Sequence, residues 1–136
     1  MRDFLFKAKS LDGNNIVIGY YQKRYDENEK EQHLIFWAKS YRVWSYVEID
    51  PETICQYTGM KDRQDNMIWE NSIVRYNHKG IKISSYRVVF DEEEGSWMLE
   101  SPNGARCHCL GTANSKEYQV IGDCLTTPNL WKPQID

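Results

Sequence analysis

Ile68-Trp69-Glu70-Asn71-Ser72-Ile73-Val74-Arg75-Tyr76 opens the stretch that decides the fold. Asn77-His78-Lys79-Gly80 follows as a turn, then an extended run over residues 81–90 and an acidic tip, Asp91-Glu92-Glu93-Glu94-Gly95. Ser96-Trp97-Met98-Leu99-Glu100, a second turn at Ser101-Pro102-Asn103-Gly104 and a last run to Leu110 complete it. Each run alternates apolar and polar side chains, which places them on opposite faces of an extended chain. The turns between are built from Gly, Asn, Asp and Pro, so the segment reads as a meander of antiparallel strands.

The same pattern extends in both directions. Residues 4–8 and 16–21 form a hairpin around Asp12-Gly13-Asn14-Asn15. The charged stretch 23–32 has only Tyr25 to bury and reads as a mobile loop. Residues 34–37 and 43–49 are strands. The second carries bulk on both faces, with Val43, Ser45, Val47 and Ile49 opposite Trp44, Tyr46 and Glu48, so it is expected to be central or covered. Pro51 ends it, or starts a short helix capped by Asp50. Thr58-Gly59-Met60-Lys61-Asp62 reads as a turn, and residues 118–122 as the last strand. Leu130 and Trp131 are expected to dock the C-terminal tail. The expected fold is all-β, an antiparallel barrel-like or sandwich domain over residues 1–136 with at most short helical turns.

Bulk properties narrow the function classes. A chain of 136 residues is of single-domain size. Its net charge of -3 gives no global attraction to phosphates. Lys7 and Lys9 interrupt the first apolar stretch, and no run is long enough to span a bilayer. A cytoplasmic protein with reduced thiols and no membrane partner is expected.

No catalytic or metal signature emerges. Cys107-His108-Cys109 is the one cluster of soft ligands, but alternation along a strand sends His108 to the other face. Cys55 and Cys124 are distant in sequence, so no metal site and no cofactor are expected. His33 and His78 read as solvated surface side chains, and residues 91–94 as a solvated hairpin tip. No catalytic residue is assigned.

One segment carries more information. Pro51-Glu52-Thr53, then Gln56-Tyr57-Thr58-Gly59 and Asp62, then Ile68-Trp69-Glu70 and Ile73-Val74 follow one another at fixed spacing. This resembles the signature of the YopX family, small proteins encoded by bacteriophages and prophages. Phe4-Leu5-Phe6-Lys7-Ala8-Lys9 with Gly19-Tyr20 is similar to the family's opening strand pair. Val120-Ile121-Gly122-Asp123 with Pro128-Asn129-Leu130 is similar to its closing segment. Two departures stand out: the family's Gly-Asp before Ile-Val is Asn71-Ser72 here, and its Asn-Gly turn falls on Gln64-Asp65. The resemblance implies an all-β, barrel-like fold and homo-oligomerisation, and supplies no biochemical activity.

Three functions follow as expectations. The first is a non-enzymatic prophage accessory protein that binds itself and a phage or host protein, with Gln56, Tyr57, Thr58, Gly59, Asp62, Trp69 and Glu70 as the candidate binding motif. The second is a small nucleic-acid-binding barrel that uses Tyr76, Lys79, Lys82, Tyr86 and Arg87. The third is an enzyme with Tyr57, Asp62 or Glu70 as acid or base.

Overall fold

A computed structural model describes residues 4–13, 15–76, 84–110, 117–123 and 125–131, without the side chains of residues 76, 84, 107–109 and 128. The chain forms two compact units, Met1–Tyr57 and Thr58–Asp136.

In the first unit, β1 (Phe6–Lys9), β2 (Ile16–Tyr25), β3 (Glu31–Ser40), β4 (Val43–Glu48) and the start of β5 (Cys55–Lys61) form an antiparallel sheet. Its order is β4-β3-β2-β1-β5. Ala8, Ile35 and Ile49 are fully buried on the inner face, with Phe6, Val17, Tyr21, Val47 and Ile54 packed against them. A Cβ at Gly19 would lie 2.1 Å from the Phe36 carbonyl oxygen, so only glycine lets β2 and β3 approach here.

Three expectations change in this unit. Residues 23–32 are not a loop: β2 runs to Tyr25, β3 starts at Glu31, and only 26–30 lie between. The hairpin is held by Tyr25 opposite Glu31, by the Lys23–Glu31 ion pair, and by Asp26, whose carboxylate accepts from the Asn28 and Lys30 amides. Sparse apolar content misled because cross-strand polar pairs replace the missing stripe. His33 is not a solvated side chain: its Nδ1 is hydrogen-bonded to Tyr21 Oη at 2.5 Å and its ring stacks on Tyr21. Finally, β4 is neither central nor covered. It ends the sheet order, and Trp44 and Tyr46 are exposed.

The link to β5 is a 3-10 turn, Pro51–Thr53, capped by Asp50 accepting from the Glu52 amide. Thr53 Oγ1 donates to the Asp50 carbonyl and accepts from the Lys9 amide at 2.9 Å, which ties the Pro-Glu-Thr motif to β1.

In the second unit, β6 (Met67–Trp69) lies beside the end of β5. A five-stranded antiparallel sheet follows in the order β10-β9-β8-β7-β11. Its strands are β7 (Ser72–Tyr76), β8 (Ser84–Asp91), β9 (Ser96–Glu100), β10 (Arg106–Cys109) and β11 (Tyr118–Asp123). The core is Ile68, Val74, Val88, Leu99, Leu110 and Tyr118. The meander read from the sequence is thus present as β7 to β10; the turn at 77–80 lies outside the described residues. The fold is all-β, and among the described residues no sheet closes into a barrel. No described helix is long and apolar enough to cross a membrane.

Candidate functional site

Asp62 is the most heavily bonded polar side chain of the central motif. It sits where β5 ends, 6% exposed. Oδ1 accepts from the amides of Gln64 at 2.9 Å and Asn66 at 2.8 Å, which closes a tight turn over residues 62–66. Oδ2 accepts from the Val120 amide at 2.8 Å, 58 residues away, and more distantly from Asn66 Nδ2. Burial pushes the carboxyl pKa up, but the N–H donations from Val120, Asn66 and Gln64 outweigh it and hold Asp62 below the usual carboxylate range. The Arg63 amide adds a bond to the Tyr118 carbonyl, and Arg63 Nη2 one to Gln119 Oε1 at 2.7 Å. One carboxylate therefore joins the central motif to β11, the closing motif.

The neighbouring motif residues shape β5 and the turn into β7. Thr58 and Gly59 lie inside β5, not in a turn as expected. Gly59 has φ 86°, and Thr58 Oγ1 donates to the Ile68 carbonyl at 2.7 Å and accepts from the Met60 amide. The left-handed φ at Gly59 is accommodated without ending β5. Trp69 is buried and its amide donates to Ser72 Oγ at 2.9 Å. Glu70, half-buried, and Asn71 form the tight turn into β7; Asn71 takes φ 66° and its amide donates to the Val88 carbonyl. Asn and Asp tolerate this left-handed geometry, which explains how Asn71 and Asp65 (also φ 66°) stand at turn positions where Gly is common. Gln56 and Tyr57 belong to the first unit, where Gln56 pairs with Phe6 and the Tyr57 amide donates to the Leu5 carbonyl.

A different surface has the opposite character. Register places Tyr20 opposite Phe36, Phe36 opposite Tyr46, and Ala38 opposite Trp44, all on the outer face of β2, β3 and β4. Tyr20 is 51% exposed, and Trp44 and Tyr46 are each 55% exposed. Their rings touch: Tyr20 meets Trp44 edge-on at 6.0 Å, and Phe36 meets Tyr46 at 5.2 Å. The Arg24 guanidinium lies 5.3 Å from the Tyr46 ring centroid. Ile16 and Ile18 continue the face, opposite Lys9 and Lys7 of β1.

A profile of the YopX protein family matches residues 5–132. The chain belongs to the YopX family. No curated protein matches the sequence. Among solved structures, it is similar to protein EF1440 from Enterococcus faecalis, with 19% identity and a TM-score of 0.56, over 97% of this chain and all of that one. That likeness concerns the fold alone. Of the YopX signature residues, Asp62 forms the joint, and Val120 of the closing segment is its other half.

The alternative nucleic-acid face is not brought together among the described residues of this YopX-family chain. Lys79 and Lys82 lie outside them, as does the Tyr76 side chain. Tyr86 packs against the core. Arg87 follows it on the other side of β8, ion-paired to Glu100 at 2.6 Å and 4.5 Å from the Trp131 ring. Glu100 also pairs with Arg106 at 3.3 Å, and Arg106 with Asp91 at 2.9 Å. Asp91 additionally caps its hairpin by accepting from the Glu94 amide, so part of the acidic tip is structural. A depression of about 420 Å³ beside Phe90 and Arg106 is therefore lined by a cation already paired with carboxylates. No group of metal-ligating side chains occurs among the described residues.

Sequence reasoning missed the β2–β4 face. Its signal was present in the doubly bulky strand at 43–49, which was read as evidence of a cover.

Proposed function

We propose that the protein is a non-enzymatic, phage-encoded accessory protein of the cytoplasm that acts by binding another macromolecule through the outer face of β2–β4. The observation that carries this reading is the row Tyr20, Phe36, Tyr46 with Trp44 beside it, three of the four more than half exposed. Exposing large rings costs hydration free energy that a partner recovers, and Tyr and Trp are the side chains that most often anchor interfaces. The central motif supports a structural role: the acceptor oxygens of Asp62 are taken up by the chain's own amides. Tyr57 and Asp62 are buried, which disfavours them as acid or base towards a dissolved substrate.

Self-association belongs to the same reading. β4 ends its sheet and offers a strand edge on which a second copy can pair. Light scattering at tens of micromolar tests that part; a monomer removes it and leaves the face in place. The main reading is tested by affinity capture from producing cells with the native chain and with Tyr20→Ser plus Trp44→Ser. Macromolecules held by the native chain should be lost from the variant. Equal capture by both would overturn the proposal.

A further inference from the structure

We infer that the partner of the β2–β4 face is single-stranded nucleic acid, stacked on its rings and held by its cations. The inference rests on the preceding reading that this face is a working surface.

Charge decides the class of partner. Among the outward positions of β1 to β4, Lys7, Lys9 and Arg24 are cationic, and Glu48 is the one carboxylate. A protein interface buries its rings in a centre depleted of charge. Here cations border the rings: Arg24 lies 5.3 Å from the Tyr46 ring centroid, and Lys7 and Lys9 stand opposite Ile18 and Ile16, which continue the same face. At the β3–β4 turn Arg42 lies over Tyr41, which is 86% exposed, and extends the pattern beyond the strands. The whole chain is acidic, so this local excess is not a by-product of composition.

Geometry fits the same ligand. Neighbouring strands are about 4.8 Å apart, so a row of rings across three of them offers successive platforms on which about two or three splayed bases can stack. The Arg24 guanidinium, 5.3 Å from the Tyr46 ring centroid, adds a planar cation beside such a pile. A flat sheet face does not enter a duplex groove, whereas single strands present their bases outward. No side chain of the row is placed to read one base edge against another, so little sequence preference is expected.

The test is fluorescence anisotropy of a labelled oligothymidylate of about 12 nucleotides with the full-length chain. Three phosphate contacts predict a slope of log affinity on log salt near -2, or about a 20-fold loss between roughly 50 and 200 mM salt. Tyr20→Ala and Trp44→Ala should each weaken binding about tenfold with an unchanged melting profile, and Arg24→Gln should flatten the salt slope. Two results would overturn the inference: no binding at low salt, or binding indifferent to all three substitutions. If oligothymidylate does not bind but Tyr20→Ser plus Trp44→Ser abolishes capture of a protein or self-association, the face is a working surface with a different occupant. If neither changes, both proposals fall.

Discussion

The Asp62 joint and the β2–β4 face are opposite solutions to the presence of polar and aromatic side chains in a small β protein. At the joint a charge is buried and its oxygens are matched with amide donors. On the face, rings that would ordinarily fill a core stand in solvent. The first arrangement spends side chains on holding β5, its turn and β11 in register. The second leaves apolar surface in solvent, which on the proposed reading a partner covers. The difference teaches that the most recognisable segment of a sequence need not be its working part. A joint closing a loop of 58 residues is costly to lose.

The largest effect should come from breaking the joint. Asp62→Ala leaves the amides of Gln64, Asn66 and Val120 without their acceptor, and should cost about 3 kcal/mol in denaturant unfolding. Asp62→Asn should cost nearly as much, because an amide NH2 in place of Oδ2 would face the Val120 N–H. A loss below about 1 kcal/mol for either would mean that the joint is ornamental.

Next in size is Gly19→Ala, which drives a methyl against the Phe36 carbonyl oxygen and should destabilise the first unit by about 2 kcal/mol. A neutral outcome would show that β2 and β3 separate easily, and the ring row across them would lose its rigidity.

A pH titration sharpens the contrast. The Asp62 pKa is held below its ordinary value of 3.8, so its contribution is complete above that value and is lost as pH falls through the lower, folded value. Native protein should therefore lose stability, as pH falls below the ordinary carboxylate value of 3.8, more steeply than Asp62→Ala. Parallel acid unfolding curves would contradict the assignment.

The smallest stability effect belongs to the face. Tyr20→Ser plus Trp44→Ser removes one ring contact and the cross-strand neighbours of Phe36 and Ala38, but more than half of each ring is already in solvent, so unfolding should shift by less than about 2 kcal/mol. A larger loss would make these rings part of a core.

Much of the fold was legible. Alternation and turn residues located the meander, and Asp50-Pro51 offered the capped turn as one of two readings, because both signals are local. The turn was placed at residues 58–62, one element too early: Thr58 and Gly59 lie inside β5, and Asp62 closes the turn over 62–66. The bond of Asp62 to Val120 was not legible, since nothing local marks two segments 58 residues apart as partners. The β2–β3 hairpin was hidden because its tip is held by polar cross-strand pairs instead of buried side chains. The aromatic face was misread for a physical reason too. Period-two bulk on both sides of a strand has the same appearance whether the second side is covered or left for a partner.

Hydroxyl-radical footprinting of the purified chain, read by mass spectrometry, tests the central contrast most directly. Trp44 on the face should be oxidised rapidly in the free chain and protected when oligothymidylate is bound, while Trp69 beside the joint should react slowly in both states. Rapid oxidation of Trp69, or a Trp44 rate unmoved by saturating oligothymidylate, would contradict the account.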